Sequence, residues 1–287
     1  MLSRLPNQRE IALRMEAVAE HLRLPFRSRN WKGHAGNWMG AGTGSSIDFQ
    51  DHRQYALGDD PRHIDWRAYA RTDSYVMKLY REEISPMVDL VLDLSASMFV
   101  DDEKARRTWE IFCFCETSAR QSGSSVHCYI GGGSKLRRLN FSEDLRDADF
   151  AAKGSDGVFD ISRIPWRHGS LRVVISDLLF PGNPEVFLSA LGVNENGIIF
   201  VPYCAAEEAP DWDGNLEMED CESGKMRLQR VAPGVLRRYE QAYRQHFSLW
   251  RDGARRRSIL LARVPGTLSF REALQLEALP IGAVELA

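Results

Sequence analysis

The chain has 287 residues, 44% hydrophobic and 27% charged, with a formal net charge of -3. This length and apolar content suit one large or two small cores, and the charge balance gives no global field toward nucleic acid or an anionic membrane. No apolar run approaches the ~20 residues of a spanning helix, Met1–Pro6 lacks a signal-peptide core, and five unevenly spaced cysteines read as thiols of a reducing cytosol, so a cytoplasmic protein with no nucleic-acid partner and no direct membrane insertion is expected.

From the N-terminus, Asn7–Leu24 has a helical period that puts Ile11, Met15, Val18, Ala19 and Leu22 on one face, ended by Pro25. Arg27–Ser46, rich in Gly, Arg, Asn and Trp, reads as an irregular loop. Neither its glycines nor those of Gly131–Lys135 have the G-x-x-x-x-G-K-[ST] spacing that cradles phosphates; Gly131–Lys135 reads as a strand-to-strand turn. Asp51–Arg71 interleaves Asp51, Asp59, Asp60 and Asp65 with Arg53, Arg62, Arg67 and Arg71. This is the pattern of an ion-pair network, either clamping the N-terminal part onto the rest of the chain or facing a cleft or partner. Ser74–Leu79 alternates as a strand.

Val88–Met98 reads V-D-L-V-L-D-L-S-A-S-M. The apolar run Val88, Leu90, Val91, Leu92 has the form of a buried parallel strand. Asp93, Ser95 and Ser97 follow at its carboxyl end, where open α/β sheets bind ligands. One carboxylate and two hydroxyls on alternate residues offer hard oxygens. These suit Mg2+, which takes few protein ligands and keeps its other positions for water or a partner's carboxylate; Mn2+ and Ca2+ are alternatives.

Asp101–Gln121 is an amphipathic helix with an acidic first turn, stopped at Gly123. Cys113 and Cys115 point to different faces and read as structural thiols. Ser125–Ile130 is a strand in which His127 reads as a packed or edge histidine and not a ligand, Leu136–Asn140 a second short strand, Leu145–Ala152 a short helix and Gly154–Gly157 a turn. The strand Leu171–Ile175 runs into Ser176–Asp177, a second carboxylate at a strand end. Pro184–Leu191 is a helix, and Gly197–Val201 a buried strand ended by Pro202. Glu207–Gly224 is acidic and turn-rich, without EF-hand spacing. Pro233–Ala254 is a long helix with Leu236, Tyr239, Tyr243, Phe247 and Trp250 as a core stripe. Arg255–Arg257 suits its C-terminus, Ser258–Val264 is the last strand and Ser269–Ala278 the last helix. Strands alternating with helices imply an α/β architecture: a mostly parallel sheet covered on both faces.

D-L-S-A-S at Asp93–Ser97 resembles the D-x-S-x-S metal-ion-dependent adhesion site of von Willebrand factor A domains. Ahead of it stand Tyr55, Gly58–Arg62, Ile64–Trp66 and Ala70–Thr72. That order is similar to the bacterial family called domain of unknown function 58, from about Gly44 to the C-terminus. The resemblance implies a von Willebrand factor A-like (Rossmann-like) domain over residues 83–287, preceded by a smaller N-terminal segment, residues 1–82, with short strands. It also implies a metal held by Asp93, Ser95 and Ser97, with Asp177 in support through water. The family's remaining ligand is a threonine; the matching region Lys153–Ile161 has none, and Ser155 or Asp156 is the expected substitute. Leu216–Gly224 looks like the family's small hairpin. Many relatives carry membrane helices ahead of the shared part; their absence here implies a soluble form. The implied partners are a MoxR-type AAA+ ATPase and a client protein, in maturation, assembly or metal-cofactor insertion.

Three functions remain open. The first is a non-enzymatic, metal-dependent protein-interaction module. It is favoured because the sequence has no G-x-S-x-G, no H-E-x-x-H, no clustered zinc ligands and no histidine beside Ser95 and Ser97. The second is a metal-dependent hydrolase using Asp59, Asp60 or Asp65 with the same ion. The third is a structural A-like domain in which Asp93, Ser95 and Ser97 cap the following helix and no ion binds.

Overall fold

The computed structural model of the chain describes residues 8–26, 34–43, 49–132, 135–139, 159–192 and 197–287. Helix α1 (Gln8–Ala19) leads into the two-residue strand β1 (Leu22–Arg23). Ile11, Met15 and Ala19 are buried, as the helical period requires; the helix ends at Ala19 and not at Pro25, and Leu22 is buried from β1. Strand β2 (His34–Thr43) corrects the reading of Arg27–Ser46 as loop throughout. It pairs with β4 (Val76–Ser85), with register shifts between Ala35 and Trp38 and between Met39 and Thr43. Glycines weaken a strand but are tolerated at bulges, and the ladder comes from a partner distant in sequence. Strand β3 (Phe49–Gln54) pairs with the other side of β4. The short helix α2 (Trp66–Thr72) lies between them in sequence, its N-cap Asp65 accepting from the Arg67 and Ala68 backbone N–H groups.

The main sheet begins with β5 (Met87–Asp93), followed by α3 (Asp102–Gln121), β6 (Ser125–Gly132) and β7 (Lys135–Leu139). Then come β8 (Leu171–Ile175), α4 (Pro184–Leu191), β9 (Gly197–Tyr203) and α5 (Ala205–Glu208). The hairpin β10 (Gly214–Glu219) and β11 (Met226–Val231), the long α6 (Pro233–Arg256), β12 (Leu260–Pro265), α7 (Phe270–Leu276) and β13 (Glu285–Leu286) complete the described chain. The six-stranded order is β12-β9-β8-β5-β6-β7, parallel except for β7, which pairs antiparallel with β6. β13 returns to pair with β1.

Alternation along the strands divides the core in two. Val88, Leu90, Leu92, Val173, Ile175, Ile198, Phe200, Ala262 and Val264 point to one face, against α1, α3 and α7. Val91, Val174, Ile199, Val201 and Leu261 point to the other, against α4 and the α6 stripe Tyr243, Phe247 and Trp250. The result is three layers with helices on both faces of the sheet. Residues Ile11–Phe26 share the first core with β5, so this part of the 1–82 stretch packs within the sheet domain. The proline at 202 lies within β9 instead of ending it: β8 pairs with β9 only as far as Phe200, leaving the strand open on that side at Pro202. On the outer side of β12, the Arg263 backbone N–H donates to Glu277 Oε2 at 2.9 Å.

At the other end of β5, fully buried Asp89 accepts from Arg167 N, Arg167 Nε and Ser170 Oγ. Arg167 also donates to the carbonyls of Val88 and Ser125, tying the entry to β5 and β6 together. The expected helix Leu145–Ala152 and turn Gly154–Gly157 lie outside the described residues. Among those described, no helix is long and apolar enough to cross a membrane.

Candidate metal site

The chain leaves β5 toward β6 on one side, then reaches β8, β9 and β12 on the other. The switch point therefore falls between β5 and β8, whose carboxyl ends open a crevice. The register Leu92↔Ile175 brings Asp93 alongside Ser176 and Asp177. Asp93, Ser95, Ser97 and Asp177 line one cavity of about 660 Å³ with Glu207, Phe159, Phe180 and the hairpin residues Glu219–Ser223. Of the residues singled out in the sequence, these four converge; Ser155 lies outside the described residues.

Asp93 is 1% exposed. Its Oδ1 accepts from Ser95 N at 2.9 Å and its Oδ2 from Ser176 Oγ at 2.7 Å. Ser95 Oγ and Ser97 Oγ lie 3.2 Å apart and share a hydrogen bond. Two oxygens about 2.1 Å from an octahedral Mg2+ and at right angles to each other would be about 3.0 Å apart, so this spacing also fits two adjacent coordination positions. The triplet does not cap α3. Asp101 does so, accepting from Glu103 N and Lys104 N, and Ser95 makes no side-chain cap to the short turn Ala96–Phe99.

Asp177 faces the opposite wall. Its Oδ1 accepts from Leu179 N at 3.0 Å, and its Oδ2 accepts from Lys104 Nζ at 2.7 Å. Lys104, fully buried in the first turns of α3, also donates to Glu207 Oε1 at 2.5 Å, and Glu207 Oε2 accepts from Cys204 N. Burial disfavours the Lys104 ammonium, but the two carboxylates outweigh it and hold its pKa above the ordinary value. Leu178, next to Asp177, sits at φ 58, outside the usual range for a branched side chain. Its carbonyl oxygen lies 2.8 Å from His246 Nε2.

The lysine is engaged by Asp177 and Glu207, and no direct cation contact to Asp93 is present among the described residues. Burial, then the Asp177 charge, push the Asp93 carboxyl up to about 7, against the hydrogen bonds from Ser176 and Ser95. A small hard cation beside it would offset that penalty, so the residues present fit an ion. The donors would be the Asp93 carboxylate and the Ser95 and Ser97 hydroxyls, with Asp177 behind them. Among the described residues no group of three His, Cys, Asp or Glu side chains is arranged to hold a metal; the fit rests on hydroxyls as much as on carboxylates.

The N-terminal carboxylates do not join this cavity among the described residues. Asp59 forms a two-pronged pair with Arg53, and Asp60 pairs with Arg62. The Arg62 hydrogen bonds hold Asp60 down at about 2, and those of Arg53 lower Asp59. Asp65 lies 3.0 Å from His52 Nε2, caps α2 and is held at about 2. Of the expected Arg–Asp pairs the described residues show two, Arg53–Asp59 and Arg62–Asp60, both within the segment; Asp65 pairs instead with His52 and Lys78 and caps α2.

Sequence reasoning did not single out Ser176, Lys104, Glu207 or Glu222 as site residues. Ser176 adjoins Asp177 and was within reach of a strand-end argument once the register was known. Lys104 reads in sequence as an ordinary charge in an acidic first turn, and only the packing of α3 over the crevice buries it. Glu222 reaches the site from the hairpin: its Oε1 accepts from Ser97 N at 2.8 Å.

The family model described as "Protein of unknown function DUF58" matches residues 51–248. No curated protein and no solved structure matches the chain.

Proposed function

This chain belongs to the DUF58 family, and we propose that it is a von Willebrand factor A-like, metal-dependent protein-interaction module and not an enzyme. One observation carries the reading: the buried Asp93 carboxylate stands at the switch point of the sheet with two hydroxyls 3.2 Å apart beside it. The sheet order, parallel strands and helices on both faces support the A-like fold. A Mg2+ held by Asp93, Ser95 and Ser97 keeps positions that a partner's carboxylate completes, so that ion binding governs association. Resemblance to the family points to a MoxR-type AAA+ ATPase as that partner, with a client protein undergoing maturation, assembly or metal-cofactor insertion. A hydrolase built on Asp59, Asp60 or Asp65 has less support, since arginines and a helix N-terminus already engage those carboxylates.

Calorimetric titration of the purified protein with Mg2+ and Mn2+, repeated on Asp93→Ala, tests the reading. Binding that is lost in the variant supports it, and a metal-dependent pull-down of a MoxR-type ATPase follows. Absence of binding by the wild type, or equal binding by Asp93→Ala, removes the ion from the proposal.

A further inference from the structure

Glu222 reaches Ser97 from 125 residues further along the chain, and its carboxylate accepts the Ser97 backbone N–H at 2.8 Å. It does not stand alone there. Glu219, Asp220, Cys221 and Ser223 line the same cavity as Asp93, Ser95 and Ser97. We propose that this hairpin turn is the site's own competing ligand: the Glu222 carboxylate takes the place that an acidic side chain of a partner would fill, and a partner enters by displacing it. The inference rests on the metal-dependent reading above and adds to it how access to the site is regulated.

Three features support the competition. The turn is rigid in itself, so Glu222 is presented and not merely adjacent. Asp220 Oδ1 accepts from Glu222 N and Ser223 N, Asp220 N donates to the Lys225 carbonyl, and Gly224 takes φ +67, which glycine adopts without strain. The hairpin that carries the turn is weakly anchored: it is a separate two-stranded sheet, with Leu228 82% and Met226 55% exposed. A two-stranded hairpin alone is marginal in water, so a turn held at its tip by a carboxylate contact can leave without unfolding the main sheet. The chemistry also matches. Glu222 is of the class, a side-chain carboxylate, that completes the coordination of a hard cation, and it approaches the Ser97 end of the triplet. Opposite, Lys104 is already shared by Asp177 and Glu207. A cation in the site would therefore have Glu222 as an available intramolecular carboxylate.

The experiment loads the full chain with Mn2+ and measures the longitudinal relaxation enhancement of water protons per bound ion. Water occupying an inner position raises this enhancement. Glu222→Ala is compared with wild type and with Glu219→Ala, which alters the same hairpin and cavity without the Ser97 contact. The expected result is a higher enhancement per bound ion in Glu222→Ala, by roughly the share of one added water among the few positions open on the ion, and a wild-type value in Glu219→Ala. In parallel, acetate titrated into Mn2+-loaded protein should reduce the enhancement at several-fold lower concentration in Glu222→Ala than in wild type. Mn2+ bound with the same enhancement and acetate response in all three proteins overturns the competing ligand and leaves the ion site standing. No Mn2+ bound by the wild type overturns the ion reading and the competition together.

Discussion

Ser176 Oγ donates to Asp93 Oδ2 at 2.7 Å, linking the last residue of β5 to the first residue after the adjacent parallel strand β8. Its own oxygen accepts from Leu178 N at 3.2 Å, so one hydroxyl joins the buried carboxylate to the turn that carries Asp177. Removing a donor from a buried acceptor costs the desolvation of the group left behind. Ser176→Ala should therefore destabilise the protein by about 1–3 kcal/mol, read as a lower urea midpoint at unchanged slope. An unchanged midpoint would mean that water replaces the hydroxyl.

Asp93 gives the metal-free protein a pH dependence of definite sign. Its folded pKa is raised to about 7, against about 4 in an unfolded chain. The folded state thus favours the protonated acid. The stabilisation is fully present below pH of about 4 and is lost as pH rises through about 7. Thermal unfolding in chelator should show the melting temperature falling across that window, and Asp93→Asn should flatten the fall. Saturating Mg2+ should oppose it, because a bound ion favours the ionised form. A flat profile in the chelated wild type would contradict the burial of an unpaired carboxylate.

Among the described residues, Lys104 is the single ammonium paired with Asp177 and Glu207. Replacing it with methionine keeps the volume and leaves two carboxylates without their cation. Lys104→Met should cost about 3–5 kcal/mol in metal-free protein, measured by chemical denaturation. Part of that loss should be recovered with Mg2+, and the recovery should exceed the Mg2+ stabilisation of wild type, since Asp177 is then free to turn toward the ion.

Gly266 follows β12 and lies against the start of α3. A methyl group there would meet the Glu103 backbone carbonyl carbon and oxygen at 3.0 Å, and its own carbonyl accepts from Arg106 Nη2. Backbone cannot move aside as a flexible side chain can. Gly266→Ala should destabilise by about 1–3 kcal/mol and, by shifting the turn that carries Lys104, weaken Mg2+ binding. Calorimetry on a variant shown to be folded by circular dichroism checks both.

Where a signal was local, the sequence was sufficient. Ile11, Met15 and Ala19 could be put on one helix face, and Tyr243, Phe247 and Trp250 on another, because period 3.6 is written into neighbouring residues. Leu171–Ile175, a short continuous apolar run, and Pro184–Leu191, which starts at a proline, were readable with their boundaries because those signals too are local. β2 was not, since its ladder comes from β4 and its bulges absorb the glycines that suggested a loop. The convergence of Asp93 and Asp177 could be anticipated because both follow apolar strands, and strand ends of a parallel sheet share one edge. Glu207 and Glu222, which line the cavity, and Lys104, buried behind Asp177 and Glu207, could not, because each is brought there by the packing of a separate element, which no spacing in the chain encodes.

The Glu277 carboxylate that accepts the Arg263 N–H also receives Arg251 through its other oxygen, at 2.7 Å. A parallel sheet that ends in an uncovered strand is a template for another chain, and the main hazard is aggregation through strand addition. Here one outward N–H of the edge strand, that of Arg263, is already occupied by a charged side chain fixed by Arg251 of α6. An incoming strand would have to break that contact and leave a negative charge facing its own carbonyls. At Arg263 the fold thus opposes strand addition to its β12 margin, the route to fibril-like self-association.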